Sequence, residues 1–206
     1  IAVSERMQDK SIAEKLLQEV KEADNAVVEK NATTEKKEKP PMLYDLTNLQ
    51  RDANRIMGFT AQQTLDYTQS LYEKKLVTYP RTDSRFLTED MEAGLPDLVQ
   101  KMAEKFGFTK ALPMNAKQVI NNKKVSDHHA IIPTQNVAIV NYGELQTGEQ
   151  KVLSLITARL LASIGDPCIS QETELEFSCA SQIFRAKAKV ISDPGWKEVE
   201  SWILGK

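Results

Sequence analysis

The spacing of apolar residues changes period once along this chain, and that change limits the folds open to it. Between Leu43 and Gly165 apolar residues recur mainly at helical intervals; from Glu172 to Val190 they alternate. In residues 172–179 the apolar side carries Thr173, Leu175, Phe177 and Cys179, and the acids Glu172, Glu174 and Glu176 take the other face. Residues 183–190 set Phe184, Ala186, Ala188 and Val190 against Arg185, Lys187 and Lys189. A tight hairpin through Ala180-Ser181 places Glu176 opposite Arg185, Glu174 opposite Lys187 and Glu172 opposite Lys189. The basic row therefore reads as a solvated set of cross-strand ion pairs rather than a nucleic-acid strip.

The helical signals come with caps. Ile12, Leu16, Leu17 and Val20 predict a helix over 9–24. Thr47-Asn-Leu-Gln50 has capping-box spacing, predicting a helix that starts at Asn48 and ends at Gly58. Thr60 caps a helix over about 61–74, with Leu65, Thr68, Leu71 and Tyr72 on one face. Thr88 is expected to cap a further helix with Glu89 and Asp90 in its first turn, and 97–106 forms another, closed by Gly107. Thr147-Gly-Glu-Gln150 opens a long helix with Val152, Ile156, Leu160 and Ile164 inward, closed by Gly165.

Between the first two helices lies a short β-prone stretch around residues 26–29. The polar, charged run 31–41 that follows, ending in Pro40-Pro41, reads as a strand end passing into a linker. Pro167 marks a second boundary. The resulting expectation is an α+β chain in three segments. Residues 1–40 and 167–206 form the two parts of a small β-rich antiparallel domain, and a mainly helical domain over 41–166 is inserted between them.

Bulk composition excludes several classes. With 41% hydrophobic and 27% charged residues the chain reads as globular, and no apolar run approaches the ~20 residues of a membrane span. It opens Ile1-Ala2-Val3 with neither signal peptide nor initiator Met, which suggests an excised piece of a longer protein. Two cysteines, Cys168 and Cys179, make no disulfide scaffold or zinc cluster and fit a reduced, cytoplasmic setting. The formal net charge of −2 requires any nucleic-acid site to be local, or much of the basic surface to lie elsewhere in the full chain.

Two stretches carry chemistry. In Leu76-Val77-Thr78-Tyr79-Pro80-Arg81-Thr82-Asp83-Ser84, a tyrosine is followed two residues later by an arginine. A phenol, with a pKa of about 10, is a poor nucleophile at neutral pH. Attack on phosphorus needs a nearby cation to favour the phenolate and absorb developing charge, which Arg81 could supply. The bland alternative is a buried tyrosine at a strand end beside a surface Arg-Asp pair. In Asp127-His128-His129-Ala130-Ile131-Ile132-Pro133-Thr134 the only two histidines are adjacent. They suit phosphate binding, a two-metal site or a plain polar turn before an apolar strand. A two-metal phosphoesterase needs further Asp clusters that are absent from the sequence, and adjacent histidines on a strand face opposite ways.

Together the two stretches resemble the active-site tyrosine segment and the following histidine segment of the type IA DNA topoisomerases. His129-Ala-Ile-Ile, where bacterial topoisomerase I typically has Glu-Ala-Ile-Arg, points to the topoisomerase III subgroup. The lead-in Tyr44-Asp-Leu-Thr-Asn-Leu-Gln-Arg-Asp-Ala53, the helix end Leu71-Tyr72-Glu73, Lys187-Ala-Lys189 and Pro194-Gly195-Trp196 fit as well. The resemblance covers about 40–206 closely and 1–40 more loosely.

The resemblance implies a winged-helix-like tyrosine domain over 41–166, flanked by two parts of an arch that acts as hinge. It implies that Tyr79 attacks single-stranded DNA and becomes joined to the 5′ phosphate. Arg81 would stabilise that centre and His128 would contact a phosphate at the scissile region, with Thr82, Asp83 and Thr134 as supporting DNA-binding groups. Resealing would need no ATP, and a second strand would pass through the open break. Mg²⁺ is expected in a Toprim domain outside this chain, whose glutamate and Asp-x-Asp pattern has no counterpart here, so no metal ligand is expected within it. The implied partners are single-stranded DNA and the remaining domains of the same polypeptide, in a nucleoid-associated, cytoplasmic protein without membrane contact. On this view the chain alone is inactive. The competing readings are a non-enzymatic winged-helix DNA-binding module and a tyrosine recombinase. The latter needs several arginines with a His-x-x-Arg element and joins the 3′ phosphate.

Overall fold

The computed structural model describes residues 9–180 and 182–205. The chain divides into two compact units, Ile1–Glu38 with Ile169–Pro194, and Lys39–Cys168 with Gly195–Lys206. Mixed α/β architecture is present as expected, with six α-helices and one three-stranded antiparallel sheet among the described residues. No helix among them is long and apolar enough to cross a membrane.

In the first unit, helix α1 (Lys10–Glu22) is capped by Asp9, whose carboxylate accepts the Ser11 N–H at 2.8 Å. None of its residues is buried. The sheet runs in the order β1 (Val27–Glu38), β2 (Cys168–Cys179), β3 (Gln182–Asp193). The β2–β3 register pairs Glu176 with Arg185, Glu174 with Lys187 and Glu172 with Lys189. All three pairs form ion pairs, at 2.9, 2.6 and 3.7 Å. Of the turn expected through Ala180-Ser181, Ser181 lies outside the described residues; Ala180 has φ +50°.

The run 31–41 departs from expectation. It is strand as far as Glu38, not a linker. Its polar side chains find partners on β2: Thr33 and Thr173 hydroxyls meet at 2.9 Å, and Lys36 pairs with Glu172 at 2.5 Å. Cross-strand partners thus supply what local composition argued against.

In the second unit α2 (Leu46–Met57), α3 (Ala61–Glu73), α4 (Leu95–Lys105) and α6 (Trp196–Leu204) all pack on α5 (Thr147–Ser163). Helix α5 is buried on most sides, with Val152, Leu153, Ile156, Leu160 and Leu161 in the core. Residues 195–206, grouped with the β-rich part in the sequence reading, belong here because Trp196 and Val199 are buried in α6. Strand-like pairing in this unit occurs among the described residues only as the isolated bridges Tyr44↔Ile131, Val77↔Pro133 and Leu87↔Ile120.

Two caps are shifted, and a third, Thr88, keeps its place without a side-chain cap bond. The α2 cap is Asp45 rather than Thr47, its carboxylate accepting the Asn48 N–H at 2.6 Å. The α5 capping box joins Gln146 to Glu149 rather than Thr147 to Gln150. After Thr88 the chain makes a 3₁₀ turn (Glu89–Gly94), and the Glu89 N–H is taken by the Asn122 side chain at 2.7 Å. Thr60 caps α3 as read, and Gln63 completes a capping box with it.

Glu149 is buried and joins α3 to α5. Its carboxylate accepts from Lys74 Nζ at 2.6 and 2.7 Å, from Ser70 Oγ at 2.5 Å and from the Gln146 N–H at 3.0 Å. Burial pushes its pKa up, but the bonds from Lys74, Ser70 and Gln146 outweigh that and hold it below the usual carboxylate range. A depressed folded-state pKa makes this contribution fully present above the ordinary glutamate value and progressively lost as pH falls through the folded value. Glu149→Gln is expected to cost about 2–3 kcal/mol in urea unfolding at pH 7, with the gap between variant and parent closing as pH falls below the carboxylate range. A gap that stays constant down to strongly acid pH overturns the assignment.

Candidate active site

The two motif segments meet because α3 ends in a sharp reversal. Lys75 takes φ +60°, and the Leu76 N–H returns to Leu71 O at 2.9 Å. The chain then runs extended beside 131–134: Thr78 N–H donates to Ile132 O at 3.0 Å and Thr134 N–H to Leu76 O at 2.9 Å. Pro80, which has no N–H to give, stands where this pairing stops.

Two threonine hydroxyls fasten the segments on either side of Tyr79. Thr78 Oγ1 donates to Ala130 O and accepts the Ile132 N–H, each at 3.0 Å. Thr82 Oγ1 donates to His128 O at 2.8 Å and accepts the Ser84 N–H at 3.1 Å. A third segment ties in both. Tyr44 O accepts the Ile131 N–H at 2.8 Å, and Leu46 N–H donates to Thr82 O at 3.1 Å.

That third segment is anchored from below. The Tyr44 ring is buried with the Arg159 guanidinium 4.1 Å from its centroid, and its hydroxyl donates to Asp52 Oδ2 at 2.8 Å. Arg159 also donates to Asp52 at 2.6 Å and to Met42 O at 3.2 Å. Burial drives the Tyr44 phenol far above its ordinary value, so it stays a neutral donor. Burial also works upward on Asp52, but the bonds from Arg55 and Tyr44 and the charge of Arg159 hold it low.

On this scaffold the Tyr79 ring is half-buried and lies against the His128 imidazole, centroids 4.3 Å apart at 42°. No described residue hydrogen-bonds its hydroxyl. Arg81 is exposed and donates from Nη1 to Gln69 Oε1 at 3.0 Å. Asp83 is exposed and accepts from Ser126 Oγ at 3.4 Å. Arg81, Thr82 and Asp83, with residues 126–128 and the start of α2 at 45–47, line one open cleft of about 530 Å³. Arg81 and His128 border it together with the carboxylates of Asp45, Asp83 and Asp127, while the Leu46 and Asn48 N–H groups at the start of α2 are taken by Thr82 O and the Asp45 carboxylate, so the Arg81 guanidinium is the group that suits the cleft to a phosphate.

The remaining sequence candidate, Thr134, and the second histidine, His129, sit differently. Thr134 Oγ1 donates to Lys75 O at 2.6 Å and accepts the Asn136 N–H at 3.3 Å, so it holds the loop and does not line the cleft. His129 is half-buried, with Nδ1 placed to donate to Ala130 O at 2.8 Å. Among the described residues no group of three or more His, Cys, Asp and Glu could hold a metal ion. Asp45 in the cleft accepts from Asn48 and pairs with Arg85. Sequence reasoning missed Thr78, Gln69 and the 44–46 segment as site-builders. Only the Tyr44-Asp45-Leu46 lead-in had drawn notice.

A family model described as DNA topoisomerase matches residues 2–204. DNA topoisomerase 3 of Bacillus licheniformis and that of Bacillus subtilis are each 42% identical over 84% of this chain and 25% of their own length. The Shouchella clausii DNA topoisomerase 3 is 37% identical over 96% of this chain and 28% of its length. Among solved structures, full-length topoisomerase I from Thermotoga maritima superposes with a TM-score of 0.67 at 26% identity, over 90% of this chain and 31% of that one. The chain thus spans about a quarter of the length of these curated relatives.

Proposed function

The chain belongs to the DNA topoisomerase family, as a type IA member on the topoisomerase III side, and from that premise we propose that Tyr79 is the nucleophile of a reversible break in single-stranded DNA. The observation that carries the reading is the half-buried Tyr79 ring held against His128, beside a cleft lined by Arg81 and His128. The phenol oxygen attacks phosphorus and gives up its proton. The O3′–P bond breaks, the O3′ leaving group gains a proton, and the enzyme holds the 5′ phosphate as a tyrosine ester. The ester preserves the bond energy, so attack by the 3′ hydroxyl reseals the strand without ATP. Between the two steps another strand passes through the gap.

Arg81 balances charge at the phosphotyrosine centre, and His128 donates to a phosphate oxygen. Thr82 and Asp83 act as supporting groups, Thr82 by holding the His128 segment. The winged-helix-like character of the helical unit and the hinge role of the flanking β-rich unit belong to the same reading. Magnesium and the group that protonates the leaving oxygen belong to the remaining domains, so no step here runs through the ion. Phosphoryl transfer depends on full positioning and charge stabilisation, so the chain alone is inactive.

The test uses the full-length protein and an oligonucleotide labelled at one end or the other. The label 3′ to the break is expected to migrate with denatured protein, and the 5′ label is expected to be released. Attachment to the other fragment marks a 3′-phosphotyrosine enzyme and overturns the proposal. So does efficient adduct formation by the 206-residue chain alone with Mg²⁺, as far as its inactivity is concerned.

A further inference from the structure

Tyr72 sits in the last turn of α3 with its ring edge-to-face on Tyr79, centroids 5.5 Å apart at 80°. It is 39% exposed, so it contributes little to the core. The Tyr79 ring therefore contacts two aromatic rings, Tyr72 and His128, carried by different segments. A tyrosine ring on an open surface samples several χ1 wells. A nucleophile needs one well, with its oxygen held near the reacting phosphorus.

We propose that Tyr72 is a positioning residue for the cleavage step: with His128 it holds the Tyr79 ring in the orientation from which the phenol oxygen reaches the phosphate. The inference rests on Tyr79 being the nucleophile. Tyr72 touches neither phosphate nor leaving group in this role; it acts through the ring contact alone. Its own hydroxyl is dispensable, and its ring is not.

The test measures adduct formation by the full-length protein in single turnover at saturating single-stranded oligonucleotide. Tyr72→Leu and Tyr72→Ala are expected to slow the step about 10-fold, the scale of an edge-to-face contact converted into misplacement of a reacting atom. Oligonucleotide affinity and melting temperature stay unchanged, and Tyr72→Phe restores the parent rate. An unchanged rate in Tyr72→Leu overturns the proposal. So does a loss confined to affinity, which marks Tyr72 as a base-stacking contact instead, or a loss that tracks lowered melting temperature in both variants. A Tyr79→Phe control run alongside separates the two levels: if that variant still forms adduct, the nucleophile assignment has failed rather than the positioning role.

Discussion

Tyr79→Phe in the full-length protein is expected to abolish the covalent protein–DNA adduct and to leave single-stranded DNA binding and thermal stability as they were. The proposed chemistry leaves no graded outcome: the variant lacks the phenol oxygen proposed to attack phosphorus, and no rate of positioning replaces it. The structure says why the variant stays folded. The contacts to His128 and Tyr72 are made by the ring, which the substitution keeps, and no described residue bonds to the hydroxyl. Removing the hydroxyl therefore strands no buried partner. Adduct measured after denaturation, with affinity measured separately, decides the matter. Persistent adduct means another nucleophile. Intact relaxation by the full-length protein carrying Tyr79→Phe returns the helical unit to the status of a binding module.

The parts of this fold legible in the sequence are those set by neighbours in the chain. The Thr60 cap of α3 and the left-handed stop at Gly58 depend on three or four adjacent residues, and both form. The β2–β3 ion pairs follow once two alternating segments are joined by a tight turn. What failed depended on distant partners. Asp45 and Thr47 are both able to cap α2, and the choice falls to Asp45 because Leu46 N–H is drawn to Thr82 O, 36 residues away in sequence, starting the helix earlier than Asn48. The charged run 31–38 becomes strand because β2 offers it partners some 140 residues on.

The site divides the same way. Tyr79, Arg81 and Asp83 fall within five residues of one another and could be read as a group. That Tyr79 meets His128 depends on the Thr78 and Thr82 hydroxyls reaching across to Ala130 O and His128 O, and no local pattern announces those bonds. Tyr72 was assigned to the buried face of α3 by its spacing, yet it lies more exposed than Thr64, Thr68 and Leu71 and leans on Tyr79. Helical periodicity says which face a residue shares, not whether a functional side chain covers part of that face.

Gly195→Ala is expected to destabilise the chain far more than the addition of one methyl group usually does. Gly195 opens α6 at φ +49°, ψ −132°, a region that L residues with a side chain rarely enter. A Cβ there would stand 2.5 Å from Pro167 O and 2.6 Å from Asp166 O. Both obstacles are backbone, so no rotamer change relieves them, and the same stretch receives the Trp196 N–H at Asp166 O, 3.0 Å. Moving 166–167 away would break that bond and unseat Trp196, which is buried with Ala162 and Cys168. Backbone strain and overpacking together should cost about 3 kcal/mol or more, or roughly 6–12 °C in melting temperature for a chain of this size. Gly58→Ala is the matched control. It shares a positive φ, +73°, but its Cβ meets nothing within 4 Å, so it should lose only about 1 kcal/mol. The difference between the two variants in urea unfolding isolates the collision with 166–167 from the left-handed backbone alone. If Gly195→Ala proves no worse than Gly58→Ala, the close approach at the start of α6 is wrong, and with it the packing of that helix on α5.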